Sequence, residues 1–462
     1  MTTPADSTHF DVIIVGGRPA GSTLAARLGQ AGIRTLLLER AALPSLPAVS
    51  SPAIYASTMR MLDEIDADES DYARGTPKIR RVITEVRNDI QTFNRLPVVY
   101  QRDYLYAIDR ARFDDALWRN AARFESVSVR DGFAVTDLVW EGERVVGVRG
   151  KAIGEAEATF TADCVVGADG RFSLVARKVK AAEREVRDDL PTTIYYAYFK
   201  NYEPYDADGP CVHIYGTGKG LGYLMMDSAD GSLCIALEGR SDLFETEGDS
   251  EALFYQMLRR EPRVWRRIAN AERITNVSGM KRVGNLFRAV GGQGWALVGD
   301  AVHQKDALDG QGIYDAVFTA RALARQLVAW KRDGKAWEKA LADYDAEMMA
   351  EMHPMYLRTM ERVKLEIYTP RADWMFKTML RWLTNDAEYK RRLMMLLTRS
   401  ISPVNWLPEH VVNESLLRGM AADAVALLRG KRLPGRPAPL AAPPNSEPAQ
   451  PIAVTPITAN HA

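Results

Sequence analysis

The chain of 462 residues carries 60 basic and 60 acidic side chains, so its formal net charge is zero. This balance argues against a nucleic-acid-binding protein, which would be basic. Three scattered cysteines, Cys164, Cys211 and Cys234, are too few for a disulfide framework or a zinc site, and we interpret them as reduced thiols of a cytoplasmic protein. No apolar run reaches the roughly 18 residues that a membrane-spanning helix needs.

The first recognisable unit follows residues 1–8, a polar leader without the features of a signal peptide. Phe10 to Val15 is an apolar run that ends at two glycines and is typical of a buried parallel strand. Pro19 to Gly32 has helical periodicity, and Thr35 to Leu38 is a second apolar strand. Strand, glycine-rich turn, helix and strand together predict a βαβ unit.

The turn of this unit occupies the place of a dinucleotide-binding fingerprint. Gly16 would make the tight turn, and Gly21 would let the helix approach the sheet, so that a pyrophosphate meets the free N–H groups at the helix N-terminus. Glu39, followed by Arg40, ends the second strand, where a carboxylate can accept hydrogen bonds from ribose hydroxyls. Arg18 replaces the middle glycine, and it either turns outward or covers the phosphates with its own charge. The predicted phosphate-binding residues are Gly16, Gly17, Arg18, Pro19, Ala20 and Gly21.

The rest of the chain divides into further α/β segments, a β-rich insertion and a helical end. Helical patterns are predicted over 107–124, 313–330, 337–368 and 371–430, and a kink is predicted at Pro354. Strands are predicted within 127–148, 164–166, 194–199, 212–215, 223–226, 233–237 and 295–298. The last 29 residues, from Pro434, hold 8 of the 23 prolines and no aromatic residue, which predicts a disordered tail.

These elements predict an α/β protein in which a Rossmann-like nucleotide-binding domain carries an inserted, mostly antiparallel β-sheet substrate domain and a C-terminal helical region. The predicted boundaries are 9–45, 105–185 and 285–330 for the nucleotide-binding domain, 46–104 and 186–284 for the substrate domain, 331–432 for the helical region and 433–462 for the tail.

Two further segments extend the motif pattern. Val165 to Val175 reads VVGADGRFSLV, and Gly299 to Ile313 contains GDAVH followed by GQGI. In order and spacing, the three segments resemble the motifs of the FAD-dependent single-component aromatic monooxygenases of the p-hydroxybenzoate hydroxylase type, which are related to geranylgeranyl reductases and flavin-dependent halogenases. The resemblance implies bound FAD, with NAD(P)H as a transient co-substrate, because no second dinucleotide fingerprint is present.

The resemblance also implies roles for individual residues. Asp300, after Gly299 in the third motif, would bind a ribityl hydroxyl of FAD, and a helix N-terminus would stabilise negative charge on the reduced flavin. Asp169 lies in the motif that serves FAD and NAD(P)H together, Arg110 resembles an arginine that reaches the FAD, and Val135 lies where the family's chain passes the adenine.

Ala307 stands where the family usually has proline and Asp306 where a small or apolar residue is frequent, so the flavin-facing loop is expected to differ. The residues that open the helix are Gly310, Gln311, Gly312 and Ile313.

The sequence evidence for side chains that take part in catalysis is weaker than the evidence for cofactor-binding residues. His303 belongs to the third motif, although packing against its loop is the favoured interpretation. His213 and Tyr215 lie in the β-rich segment, where strand alternation puts some aromatic residues on one face that could line an apolar pocket, with ordinary sheet packing an equal alternative. We find no metal-ligand spacing. Trp374 to Leu397 could contact a membrane surface, but a docked helical domain is favoured.

Together these features predict an NAD(P)H-dependent FAD monooxygenase that uses O₂ to hydroxylate or epoxidise a small apolar molecule, aromatic or polycyclic, through a flavin C4a-hydroperoxide. The alternative is an FAD-dependent reductase of the geranylgeranyl reductase type, which acts on C=C bonds. A halogenase is disfavoured because the sequence has no W-x-W-x-I-P segment. A flavoprotein without turnover is disfavoured because Asp300 and the glycine-rich segment after it are intact.

Overall fold

The structure is a computed structural model that describes residues 9–47, 50–244, 249–369 and 374–438. The predicted leader and residues 439–462 of the predicted tail lie outside the described residues. The helices are α1 Pro19–Gln30, α2 Ala56–Asp63, α3 Glu69–Tyr72, α4 Arg110–Ala122, α5 Leu174–Lys178, α6 Ser250–Arg259, α7 Pro262–Trp265, α8 Gly312–Arg332, α9 Trp337–Arg362, α10 Trp374–Asn385, α11 Ala387–Leu397 and α12 Glu409–Leu428. The strands are β1 His9–Val15, β2 Thr35–Leu38, β3 Ala53–Ile54, β4 Arg81–Val86, β5 Ile90–Arg95, β6 Tyr106–Ala107, β7 Val127–Arg130, β8 Phe133–Glu141, β9 Arg144–Ala152, β10 Ala158–Gly167, β11 Glu183–Arg184, β12 Thr192–Lys200, β13 Cys211–Gly216, β14 Leu221–Ser228, β15 Ser232–Arg240, β16 Glu272–Arg273, β17 Ser278–Met280, β18 Leu286–Arg288, β19 Gly291–Gly292, β20 Trp295–Leu297 and β21 His303–Gln304.

The first layer is a mainly parallel sheet in the order β19-β20-β10-β1-β2-β7, with β9 and β8 added beside β10. Ile14 of the central strand β1 lies opposite Val166 of β10 on one side and Leu37 of β2 on the other. The β1 side chains from Val12 to Val15 are apolar and buried on both faces of the sheet, as in other parallel strands that are covered on both sides. This confirms the predicted βαβ unit, with α1 as its crossover helix.

The second layer is a sheet in the order β16-β12-β15-β14-β13-β4-β5, in which the β13–β4 pair is parallel and the other pairs are antiparallel. Its strands alternate between two faces. Tyr195 and Phe199 of β12 pack in one core with Phe254 and Met257 of α6. The intervening Tyr196 points to the opposite face, which lines a cavity between the layers.

The packing differs from the predicted domain boundaries in two places. Strands β4 and β5, within the predicted 46–104 segment, join the second sheet, but Met59 of α2 and Tyr72 of α3 pack into the core of the first layer. Helix α9, within the predicted 331–432 region, also belongs to that core, through Tyr344, and Pro354 lies inside it. The helical patterns predicted over 371–430 form three helices, and α10, α11 and α12 pack on one another.

The prediction of a disordered tail is wrong for its first residues. The Gly435 carbonyl accepts a 2.7 Å hydrogen bond from the N–H of Gln91, and the Pro434 carbonyl accepts one of 2.7 Å from Arg381. Arg263 donates to the Ala438 carbonyl at 2.5 Å. Composition alone did not show this docking because it uses backbone carbonyls, which every residue type offers.

Within the described part of the chain, we find no helix that combines the length and apolar character needed to cross a bilayer.

Candidate active site

A cavity of about 360 Å³ is lined by the second sheet, by the loops that follow strands of the first sheet, and by the N-terminal ends of two helices. Pro19 and Ala20 of α1 form one end, and Gly312 and Ile313 of α8 lie along it. Apolar and aromatic side chains of the second sheet form the opposite wall. These are Ile194, Tyr196, Ile214, Leu224, Met226 and Ala236. One cavity therefore connects the predicted cofactor motifs with an apolar chamber.

The turn between β1 and α1 has the backbone conformation that its glycines predict. Gly16 has a φ of +107°, and a Cβ there would lie 2.4 Å from the carbonyl oxygen of Ala168. A Cβ on Gly21 would lie 1.8 Å from the Gly16 carbonyl oxygen, so α1 approaches the sheet as closely as glycine allows. Among the described residues, no side chain caps the N-terminus of α1, so its N–H groups remain available to an anion.

Arg18 points toward α4 rather than away from the protein. Its Nη1 donates to Asp114 Oδ2 at 2.7 Å and to the Ser45 carbonyl at 3.0 Å. Arg110 Nη2 donates to the other oxygen of Asp114, Oδ1, at 2.9 Å. Both arginines line the cavity, and the Asp114 side chain between them is fully buried. The sequence motif around Arg110 gave no role to Asp114, although its position four residues after Arg110 is the spacing of a helical ion pair.

Glu39 stabilises the turn between β1 and α1 by accepting hydrogen bonds from backbone N–H groups. Its Oε2 accepts a 2.8 Å hydrogen bond from the N–H of Gly17, and its Oε1 accepts one of 3.0 Å from the N–H of Ala41. Arg40 is exposed and Val135 half-buried. None of these three predicted site residues lines the cavity, so the predicted adenosine end lies outside it.

Asp169 positions the second motif. Its carboxylate caps α5, accepting hydrogen bonds from Ser173 Oγ at 2.5 Å and from the Leu174 N–H at 2.6 Å. Burial raises its pKa, and these hydrogen bonds oppose the shift. Arg171, two residues after Asp169, lies at the cavity wall. The Nε of Arg171 lies 3.4 Å from Oδ2 of Asp300.

Asp300 follows β20, in a 3₁₀ turn at Gly299–Ala301. The turn is held by the Gly299 N–H, which donates to Thr319 Oγ1 of α8 at 2.9 Å. About a third of the Asp300 side chain is exposed (36%), on the cavity side. Burial raises the pKa of Asp300, and the Arg171 guanidinium opposes the shift. A carboxylate in this position can accept a hydrogen bond from a hydroxyl of a bound molecule.

The N-terminus of α8 is open toward the cavity. The side chain of Gln311 does not cap the helix, because its Oε1 accepts from Lys305 Nζ at 3.0 Å and its Nε2 donates to the Leu397 carbonyl at 3.1 Å. A Cβ on Gly312 would meet no atom within 4 Å. Gly310, with a φ of +62°, ends the turn before the helix. The helix dipole and free N–H groups thus face open space, where they can stabilise an anion.

His303 is packed against its loop, as favoured from the sequence. Its ring stacks on Phe287 with centroids 4.1 Å apart, and its Nδ1 lies 3.4 Å from the Leu286 carbonyl oxygen. Burial lowers the pKa of His303 to about 3, so the ring is neutral at pH 7. It lines the cavity, and among the described residues its Nε2 has no hydrogen-bond partner.

Of the other two catalytic candidates, Tyr215 borders the cavity and His213 does not, and neither side chain points into the chamber. His213 Nε2 lies 3.2 Å from Glu85 Oε2, and the Tyr215 hydroxyl donates to Glu261 at 2.7 Å. Both side chains lie on the α6 side of the sheet, opposite the cavity, and burial lowers the pKa of His213. On β12, the aromatic side chain of Tyr196 lines the cavity. Strand alternation predicted two faces but could not show which one the cofactor layer covers.

Comparison with known proteins identifies the family. The family model described as FAD binding domain matches residues 9–356. The chain belongs to this family. FAD is therefore its cofactor, and the chain is an FAD-dependent oxidoreductase. The open N-termini of α1 and α8, the cavity that joins them and the carboxylate of Asp300 are a donor and acceptor set that fits a dinucleotide with a ribityl chain.

The relatives have different activities. The protein FixC of Bradyrhizobium diazoefficiens is 25% identical over 354 residues, 71% of this chain and 77% of the relative. A digeranylgeranylglycerophospholipid reductase of Methanocella arvoryzae is 24% identical, over 74% of this chain and 83% of the relative. The 6-methylpretetramide 4-monooxygenase of Streptomyces rimosus is 33% identical over 38% of this chain and 41% of its own length. Among solved structures, the flavin-dependent brominase Bmp2 has a TM-score of 0.73 at 19% identity, covering 90% of this chain and 100% of the brominase, which shows a shared fold.

Proposed function

We propose that the protein is an NAD(P)H-dependent FAD monooxygenase that hydroxylates or epoxidises a small apolar molecule, aromatic or polycyclic. The observation that carries this proposal is the continuity of the cavity, which joins the open N-terminus of α8 to the apolar face of the second sheet. A substrate on that face would share one cavity with the cofactor. The apolar wall suits oxygen transfer, because keeping water away from the cofactor prevents the loss of reactive intermediates to side reactions.

Bound FAD would supply the redox chemistry, by accepting a hydride from NAD(P)H and then reacting with O₂. The chain's own residues bind and tune it. The α1 N-terminus with Pro19 and Ala20 would hold the pyrophosphate, and Asp300 a ribityl hydroxyl. The N-terminus of α8, opened by Gly312 and Ile313, would stabilise negative charge on the reduced flavin. These roles are proposals that the cavity lining supports.

The second candidate is an FAD-dependent reductase that acts on C=C bonds. It is favoured by the relative named as a digeranylgeranylglycerophospholipid reductase, which matches over most of its own length. Such an enzyme would bind an apolar substrate in the same chamber but would not need O₂.

Rapid mixing of the anaerobically reduced, FAD-loaded protein with O₂ distinguishes the two candidates. We expect reoxidation to pass through a transient absorbing species that precedes oxidised flavin, with NAD(P)H supporting repeated turnover. Slow reoxidation in a single phase, unchanged by a panel of aromatic compounds, would contradict the monooxygenase proposal. The same protein would then be tested for reduction of alkenes under anaerobic conditions.

A further inference from the structure

The C-terminal helices leave an apolar surface open. Helices α10, α11 and α12 pack on one another, but Trp374 at the start of α10 is 75% exposed and Leu428 at the end of α12 is 88% exposed. From Gly419 to Leu428, α12 has a single charged side chain, that of Asp423. A helix segment that is apolar on nearly every side is normally covered on every side. The outer side of this segment is instead open in the described part of the chain, and its exposed residues are Met420, Val425, Leu427 and Leu428.

Ion pairs show how α10 and α12 are arranged. Asp386, directly after the end of α10, binds Arg418 at 2.7 Å, and Arg381, earlier in α10, binds Asp423 at 2.9 Å. The partner on α12 moves forward as the position on α10 moves back, so the two helices are antiparallel. The start of α10 therefore lies beside the end of α12. The exposed apolar side chains at this end of the pair, which we call the apolar end, are those of Trp374, Met379, Val425, Leu427 and Leu428.

Three exposed basic residues follow the apolar end directly, and we call them the cationic border. They are Arg429, Lys431 and Arg432. None of them has an acidic partner among the described residues. The nearby acidic groups are already occupied, since Asp89 binds Lys377 of α10 at 2.8 Å and Asp423 binds Arg381. The described part of the chain thus supplies no counter-charge to the cationic border.

Two partners would cover such a surface, a second copy of this chain and a lipid bilayer, and the charges favour the bilayer. Two of the three acidic residues of α12, Glu414 and Asp423, are bound to arginines. Among the described residues, Glu409 at the opposite end of the helix has no basic partner. A second copy that packs α12 on α12 would therefore bring one free carboxylate to three cations. An anionic bilayer offers a phosphate to each cation, and exposed Leu and Trp side chains are typical of segments that enter its headgroup region.

We propose that the apolar end and the cationic border dock the protein on the surface of a bilayer that contains anionic lipids. Trp374, Leu427 and Leu428 enter the boundary between headgroups and acyl chains, and the cations of the border bind lipid phosphates. Helices α10 and α12 lie on the bilayer and do not cross it. The inference goes beyond the proposed function and does not depend on it, because docking uses neither O₂ nor NAD(P)H.

Co-sedimentation of the full-length, FAD-loaded protein with lipid vesicles tests this docking. One set of vesicles contains phosphatidylcholine alone, and the other contains phosphatidylcholine with about one-third phosphatidylglycerol, a fraction that gives the surface a negative potential. At low salt, we expect the protein to bind the anionic vesicles at least about ten-fold more tightly than the neutral ones. The difference should disappear at about 1 M salt, where charges are screened beyond about 3 Å. Equal binding to both sets at low salt, or no binding to either, would overturn the proposal.

Two variants test the two parts of the surface separately. Leu427→Ser/Leu428→Ser removes apolar contacts and should weaken binding to the anionic vesicles by at least about ten-fold. Arg429→Gln/Lys431→Gln/Arg432→Gln removes the cationic border and should weaken the same binding by about 100-fold, since three cations act together at an anionic surface. Circular dichroism and flavin content establish that each variant is folded and loaded. Unchanged binding in either variant would overturn the proposal.

Matched controls change the same kinds of residue elsewhere on the surface. Ile153→Ser, in the turn between β9 and β10, removes another fully exposed apolar side chain. The control for the cations removes three other exposed lysines and is Lys151→Gln/Lys180→Gln/Lys200→Gln. Both controls should bind the anionic vesicles as the wild type does. A loss as large as in the test variants would overturn the assignment of the docking surface.

Sedimentation equilibrium without lipid tests the other occupants of the surface. A wild-type dimer that Leu427→Ser/Leu428→Ser abolishes, in a protein that does not bind vesicles, would assign the apolar end to a second copy. Vesicle binding that requires removal of residues 439–462 would assign it to the chain's own C-terminal residues. Either result would overturn the proposal, and neither bears on the reaction of the reduced flavin with O₂.

Discussion

Asp114 lies fully buried between two arginines that line the cavity, Arg18 and Arg110. Replacing it with asparagine would leave both guanidinium groups with a neutral partner in a buried site. Breaking a buried ion pair in this way destabilises a protein by about 3 kcal/mol. We expect Asp114→Asn to lower the free energy of unfolding by about that amount, measured by urea denaturation.

Asp115 provides the matched control, because it occupies the next position of α4 and pairs with Arg119 at 2.9 Å on the surface. Asp115→Asn should cost less than about 1 kcal/mol, as surface pairs do. Equal effects of the two substitutions would show that Asp114 does not organise the turn around Arg18.

Asp300 offers the carboxylate nearest the proposed ribityl position. Because a hydrogen bond to a charged group contributes about 1.5–3 kcal/mol, Asp300→Ala should weaken FAD binding by at least about ten-fold and purify without flavin. The ratio of flavin to protein after gel filtration and a fluorescence titration with FAD measure this. Asp208→Ala, at a side chain that is 80% exposed and far in sequence from each motif, should retain a full flavin complement. Full flavin content in Asp300→Ala would refute the placement of the site.

At the scale of elements, the two helix N-termini that face the cavity respond differently to an added methyl group. At Gly21 a Cβ would lie 1.8 Å from the Gly16 carbonyl, whereas at Gly312 it would meet no protein atom within 4 Å. Gly312→Ala should therefore keep or slightly raise the stability of the flavin-free protein, since alanine favours helix, but weaken FAD binding by filling the space proposed for the flavin.

Gly21→Ala should lower the stability of the flavin-free protein by at least about 1 kcal/mol, because α1 must move from the sheet. Thermal unfolding of flavin-free samples and FAD titration separate the two effects. Unchanged FAD affinity in Gly312→Ala would show that the cofactor does not approach the α8 N-terminus.

The elements that sequence patterns predicted best are those with an uninterrupted period. The run from β1 through α1 to β2 was predicted to within two residues because buried parallel strands are continuously apolar and the turn needs glycine. Strands β4 and β5 were not delimited, since RVITEV and IQTFNR mix charged and apolar residues on two different surfaces. The contact of Arg18 with Asp114 could not be predicted, because it joins residues far apart in the chain through a fold that periodicity does not specify.

At the scale of the whole molecule, His303 should contribute to the loss of folding stability at low pH. Its pKa falls from an ordinary 6.5 to about 3 in the folded protein, so the unfolded chain binds the proton first. The stability linked to this ring is complete above about pH 6.5 and is lost as the pH falls toward 3, with a slope of about 1.4 kcal/mol per pH unit. His303→Asn should remove one such slope from the pH dependence of the free energy of unfolding. Parallel curves for wild type and His303→Asn would contradict a neutral, buried ring.

The last described residues, 434–438, join three parts of the molecule that are distant in sequence. Pro434 accepts from Arg381 of α10, Gly435 from Gln91 of β5, and Ala438 from Arg263 of α7. A chain that ends at residue 432 loses these three hydrogen bonds, and at about 1 kcal/mol each it should be less stable than the full chain by about 3 kcal/mol. A chain that ends at residue 438 keeps all three. Composition predicts that residues 439–462 add no packed core, so the chain that ends at residue 438 should unfold at the same urea concentration as the full chain. If both truncations were equally stable, the docking of 434–438 would contribute nothing to the fold, and the tail would begin where its prolines begin.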